Sequence, residues 1–328
     1  EIRLSLVGSE MCIRDRQCNE DKHLSGTWYM DGADSLTLTS DLLFIDAGIE
    51  GVKSSTETST ILTNGYTLSA KKAILQKVVI KGADTLNLDS CLIKYMVVEG
   101  DAILVGYTSV SYDVAFVGNI TNIGTLDNEN NWSRTLESYG SLINNGEIRS
   151  DATNSTFTID LYGDLDNQST YNPDKTFVNG NNKIQCNKYE YLSGAWYLDG
   201  TDTITLVSDL LFVDVIIDGV KNSTDTSTIL TNGYKFNSQK TEFKDLVIKG
   251  SDTLNLDSSY LGYTIIEGDA VSVGRTFLGY NVVLNGSITN MGMLSNENNS
   301  SRILSSYGKL INKGEIVSDL TNSTISIY

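Results

Sequence analysis

Short apolar runs broken by glycine, each followed by strict alternation of apolar and polar residues, set the pattern of this chain. Val78-Val-Ile80 precedes Gly82, Met96-Val-Val98 precedes Gly100, and Ala115-Phe-Val117 precedes Gly118, so the glycines are evenly spaced at intervals of 18. After Gly82 the chain reads Ala-Asp-Thr-Leu-Asn-Leu88, and the same phrase occurs at Gly32-Ala-Asp-Ser-Leu-Thr-Leu38 and Gly200-Thr-Asp-Thr-Ile-Thr-Leu206. Period-two alternation marks a strand with one buried face. A Gly-x-Asp phrase before it offers a residue tolerant of positive φ and a capping carboxylate, as a sharp corner requires. The pattern places Val79, Leu86, Leu88, Val247, Leu254 and Leu256 inside. No stretch sustains the helical period.

A longer period encloses the short one. Leu24-Ser-Gly-Thr-Trp-Tyr29 returns as Leu192-Ser-Gly-Ala-Trp-Tyr197, Thr58–Tyr66 returns unchanged as Thr226–Tyr234, and Asp84-Thr-Leu-Asn-Leu-Asp-Ser90 returns as Asp252–Ser258, always at an offset of 168 in the numbering. Fixed-period self-similarity is the signature of a repeat architecture. Coils of roughly 18 to 23 residues suit a chain climbing one turn per period, roughly nine turns per copy. The expected fold is therefore all-β: a right-handed parallel β-helix (β-solenoid) built from two tandem 168-residue copies, 17–185 and 186–328, the second cut short. Handedness follows the preference of parallel crossovers. A row of β-sandwiches is the rival, and it predicts antiparallel neighbours and a break near Pro173.

The Asn/Gly-rich phrases Gly-Thr-Leu126-Asp-Asn, Gly-Ser-Leu142-Ile-Asn-Asn-Gly and Gly-Asp-Leu165-Asp-Asn resemble the turns of bacterial parallel β-helix surface proteins, in the style of haemagglutinin-type adhesins and autotransporter passengers. That resemblance implies a secreted or cell-surface structural, adhesin-like protein with glycans or host-surface proteins as partners. Leu6–Arg16, by contrast, resembles a translated sequencing adapter, so 1–16 is read as a non-native segment expected to be disordered or packed arbitrarily, and the chain as a metagenomic fragment.

Composition narrows the functions. Lys and Arg number 24 against 41 Asp and Glu, a net charge of −17, with no basic cluster. Nucleic acid and anionic membranes are poor partners for such a chain, because both need concentrated cations. No apolar run is long enough to insert in a membrane. The four cysteines form no CxxC pair, which argues against zinc. The single histidine, His23, faces Tyr191 in the second copy, so a histidine-based catalytic set cannot recur.

Two constellations are weighed against plain structural roles. Glu129, Trp132 and Arg134, with Glu297 and Arg302 in the second copy, form a candidate carbohydrate contact; Trp132 is replaced there by Ser300, and a solvated loop is the competing explanation. Asp34, Asp84, Asp202 and Asp252 could hold Ca²⁺ as stacked corner acids, although turn capping by aspartate is the favoured explanation. No catalysis is expected and no cofactor beyond that calcium. The alternative is a carbohydrate-active enzyme, of polysaccharide lyase or glycosidase type, which would need carboxylates gathered within roughly 5 to 10 Å.

Overall fold

A computed structural model shows an all-β parallel β-solenoid of about 14 turns. It describes residues 2–4, 11–12, 23–54, 56–82, 85–128, 133–150, 155–220, 222, 224–250, 253–296, 302–318 and 324–328. Among these there is no helix, and therefore none long and apolar enough to cross a membrane. The chain divides into two compact units, Glu1–Gly163 and Asp164–Tyr328.

In the first unit each turn lays down three strands, so the stack has three faces. On the first face Leu42, Leu68, Leu86, Ala102, Ile120 and Leu142 are successive parallel partners. On the second, Ile49, Leu75, Ile93, Val110 and Asn128 follow one another. On the third, Ile61, Ile80, Val98, Phe116, Ser138 and Leu161 do so. These inward columns, nearly all fully buried, are the core. The second unit repeats the first-face register at the same offset: Leu210, Phe236, Leu254, Ala270, Ile288 and Leu310. Consecutive partners come from successive turns and run parallel, which excludes the sandwich reading.

Two details differ from the sequence expectation and two add to it. Leu86, Leu88, Leu254 and Leu256 point inward as expected, but Val79 and Val247 do not, although both are buried. Val79 shares an outward column with Val97, Ala115, Glu137 and Asp160, and its neighbours Val78 and Ile80 face the core. Three consecutive apolar residues leave the phase of alternation undetermined, which is how the assignment slipped by one.

Turn length is the second difference. The numbering of first-face partners advances by 26 from Leu42 to Leu68 but by only 16 from Leu86 to Ala102, so turns run beyond both ends of the expected 18 to 23 residues. The longest holds an excursion over 51–58, closed by an antiparallel bridge between Lys53 and Thr58.

The third concerns the glycines. Gly118, Gly140 and Gly163 do not occupy the left-handed region. A Cβ on each would lie closer than 3.0 Å to the backbone of Gly100, Gly118 or Gly140 one turn earlier, so glycine is needed for close approach of stacked corners. The Gly-x-Asp glycines Gly32 (φ 61°) and Gly200 (φ 60°) do take the left-handed region as expected, and side-chain-bearing residues such as Lys72 (φ 50°), Ser90 (φ 59°) and Tyr95 (φ 48°) take it at other corners.

Fourth, two pieces of the segment expected to be disordered or packed arbitrarily pair with the first turns. Ile2–Leu4 pairs in parallel with Trp28–Met30, and Met11–Cys12 with Leu36–Thr37. Backbone donors and acceptors at the open edge of a turn accept any extended segment, whatever its side chains.

Candidate functional site: an acidic groove between tyrosine columns

The third face of the first unit carries an open groove of about 310 Å³ lined by Lys53, Val97, Asp113, Val114, Ala115, Val117, Glu137 and Tyr139. Stacking explains its layout. Outward side chains of one strand fall over those of the strand before, so Val97 and Ala115 form an apolar strip that continues into Glu137 and Asp160. Lys53 enters from the 51–58 excursion.

Tyrosines stand at both edges. At the corner between second and third faces Tyr95 and Tyr112 stack with centroids 4.4 Å apart and planes 13° from parallel. The Arg134 guanidinium lies 4.1 Å over Tyr112. At the opposite corner Tyr139 and Tyr162 stack at 4.4 Å and 8°. Tyr139 Oη donates a 3.0 Å hydrogen bond to Glu137 Oε2. That bond, with lesser desolvation and the Glu137 charge, pushes the Tyr139 phenol up to about 12.

Asp160 differs from the surface acids around it. Partial burial, then the charges of Glu137 and Asp113, raise its carboxyl above the ordinary range. Elsewhere acids meet lysines across neighbouring turns, as in Lys71–Asp89 at 2.9 Å, Lys81–Glu99 at 3.0 Å and Lys249–Glu267 at 3.6 Å. The groove brings Asp113 and Glu137 together beside Lys53, with Asp160 next in the Glu137 column, and the second copy does not repeat the set: Asp113, Glu137 and Asp160 correspond to Asn281, Ser305 and Tyr328.

Of the five residues expected to contact sugar, Glu129, Trp132 and Glu297 lie outside the described residues. Arg134 and Arg302 are buried, their guanidinium groups laid over Tyr112 and, at 3.9 Å, over Tyr280. They pack a corner in each unit and belong to no solvated loop. Asp84 and Asp252 are likewise outside the described residues, while Asp34 and Asp202 cap their corners. Asp34 Oδ2 accepts the Asp31 amide at 3.0 Å, and Asp202 accepts the Asp199 and Gly180 amides at 2.9 and 2.7 Å. Among the described residues no three metal-ligating side chains converge.

Sequence reasoning missed Asp113, Glu137, Asp160 and Tyr139. They come from three successive turns of unequal length, and only that varying length brings them to one face. The equal intervals Glu137–Asp160 and Tyr139–Tyr162, both 23, were the available signal. Trp196 is buried in an aromatic core with Phe212 at 5.4 Å and Tyr171 at 5.7 Å, a packing role. Cys91 and Cys186 are free and buried.

Comparison of the chain with protein-family models, with curated proteins and with solved structures finds no match.

Proposed function

We propose that this chain is a secreted or cell-surface, adhesin-like structural protein, and that the groove of its first unit holds hydroxyl-rich glycans without transforming them. The observation that carries the reading is the groove's make-up: an apolar floor (Val97, Ala115, Val117), a tyrosine wall (Tyr139) and carboxylate acceptors (Asp113, Glu137) on one open face. Pyranoses present C–H faces that pack on apolar and aromatic surface, and hydroxyls that donate to carboxylates. The solenoid's adhesin-like Asn/Gly turns support the surface role.

One observation favours a second reading, a glycosidase-type enzyme. Glu137 and Asp160 are register partners on adjacent strands, about 4.8 Å apart at the backbone, and Asp160 holds its proton unusually well. An acid of raised pKa beside a second carboxylate is the kind of pair that retaining hydrolysis uses.

One experiment separates them. The full chain is tested against immobilised neutral, amino and acidic polysaccharides, with binding and release of sugar ends both measured. Binding without release, weakened roughly tenfold by E137Q through loss of a charged acceptor, is the expected result. Sugar release that disappears in D160N would replace the binding reading with the enzymatic one.

A further inference from the structure

Stacked tyrosines on a solvent-facing corner are a reactive arrangement as well as a packed one. Tyr139 and Tyr162 follow Ser138 and Leu161, which are register partners. Their backbones are pinned by Tyr139 N–H donating to Phe116 O at 2.9 Å and Tyr162 N–H to Ser138 O at 2.8 Å. The rings lie 4.4 Å apart and 8° from parallel, and both are more than two-fifths exposed. Two phenols are thus held near coupling distance, within reach of an external oxidant, and one of them donates its proton to a carboxylate.

We infer that Tyr139 and Tyr162 form a site of oxidative dityrosine cross-linking, in which a peroxidase-type one-electron oxidant joins two adjacent turns of the solenoid by a covalent bond. The oxidant takes one electron from each ring. Tyr139 passes its phenolic proton to Glu137 Oε2, and Tyr162 passes its own to water. The two phenoxyl radicals then couple through ring carbons ortho to oxygen, and the ortho hydrogens shift to the oxygens as the rings regain aromaticity. The net loss is two electrons and two protons, which reduce one hydrogen peroxide to two waters.

Charge ranks the three described tyrosine pairs. Tyr139–Tyr162 has a carboxylate to receive a proton. Tyr95–Tyr112 has the same spacing, but Arg134 lies over one ring, and a cation disfavours electron removal. Tyr263–Tyr280 combines the same handicap, from Arg302, with a wider 5.5 Å separation. Tyr307, 78% exposed and in no described ring pair, serves as the internal control for simple accessibility, and Tyr189, equally exposed with Lys188 4.5 Å over its ring, serves as the control for accessibility beside a cation.

The test treats the full chain, at micromolar concentration, with a haem peroxidase and limiting hydrogen peroxide. Dityrosine fluorescence and peptide mass mapping are the readouts. The expected product is an intrachain Tyr139–Tyr162 link, two hydrogens lighter than its parent peptides, exceeding links between chains by more than about 100-fold because the rings are already positioned. Y139F and Y162F should each remove that link while the spectrum of the folded chain is unchanged. E137Q should slow it several-fold, and Y189F should leave it alone. Two outcomes overturn the inference: dityrosine mainly between chains, or Tyr189 and Tyr307 coupling as fast as the stacked pair. An E137Q chain that couples at the original rate removes Glu137 as proton acceptor.

Discussion

Gly118→Ala tests the reason for the corner glycines. The added Cβ would come closer than 3.0 Å to Gly100 C and O and to Asp101 N, all backbone atoms that cannot swing aside. The corner must open, and the bonds at risk are those that join it to the turn before. Val117 N–H donates to Val98 O at 2.8 Å, Asn119 N–H to Asp101 Oδ1 at 2.8 Å, and Ala102 N–H to Asn119 O at 2.8 Å. Two or three such bonds, at about 1 kcal/mol each, set a loss of about 2–3 kcal/mol. Alanine returns about 0.4–1 kcal/mol by restricting the unfolded chain, since φ at this glycine is ordinary. A net destabilisation of about 1–3 kcal/mol is expected. Gly48→Ala is the control: its φ is also ordinary, and its nearest contact would be Thr27 Cγ2 at 3.5 Å, so it should be neutral or mildly stabilising. Urea denaturation gives the stabilities, and hydrogen exchange at the Val117 and Asn119 amides shows whether the damage is local. A G118A chain within about 0.5 kcal/mol of the parent, an ordinary surface-substitution effect, would refute the close-approach argument. So would a G48A chain damaged equally.

Three further outcomes are expected. Asn122, fully buried, donates to Asn144 Oδ1 at 2.8 Å and Glu147 O at 3.1 Å; N122L should cost about 2–4 kcal/mol by stranding those acceptors, and N122L/N144L less, as read by thermal unfolding. Asp160 has a raised folded pKa, so the fold binds its proton more tightly than the unfolded chain does. Stability from this group is therefore present at low pH and lost as pH rises through the folded value, by at most about 1.4 kcal/mol per pH unit. D160N should flatten that slope and be the more stable chain at neutral pH. Burial pushes the Cys91 thiol up to about 11 and raises Cys186, so a thiol reagent should label neither until the chain unfolds; prompt native labelling would contradict their burial.

The architecture was legible because its determinants are local and repeated. Alternation at Leu86 and Leu88 names the inward positions, and identical phrases at a constant offset declare the repeat. The same repetition stacks asparagines whose amides satisfy one another, as in Asn122–Asn144 and Asn290–Asn312. The groove was not legible. Its membership depends on how much chain each turn consumes, and the long turn between Leu42 and Leu68 reads in the sequence like any polar stretch. The Arg134 and Arg302 misassignment has a related cause: an arginine beside Asn and Ser looks solvated, yet a ring one turn earlier draws its guanidinium inward.

The shared register of the two units bears on how such a chain can change length. Leu42, Leu68, Leu86, Ala102, Ile120 and Leu142 match Leu210, Phe236, Leu254, Ala270, Ile288 and Leu310 at one constant offset, and they occupy the same places in their stacks. Unequal crossing-over between the two coding repeats, at any matched codon, removes or adds one whole period. Every inner column stays in phase across the junction, because the residue that arrives replaces one with the same partners. Gene recombination can thus lengthen or shorten the protein by whole repeats without asking any strand to find a new neighbour. A single-residue deletion at the same place would turn an inner column outward.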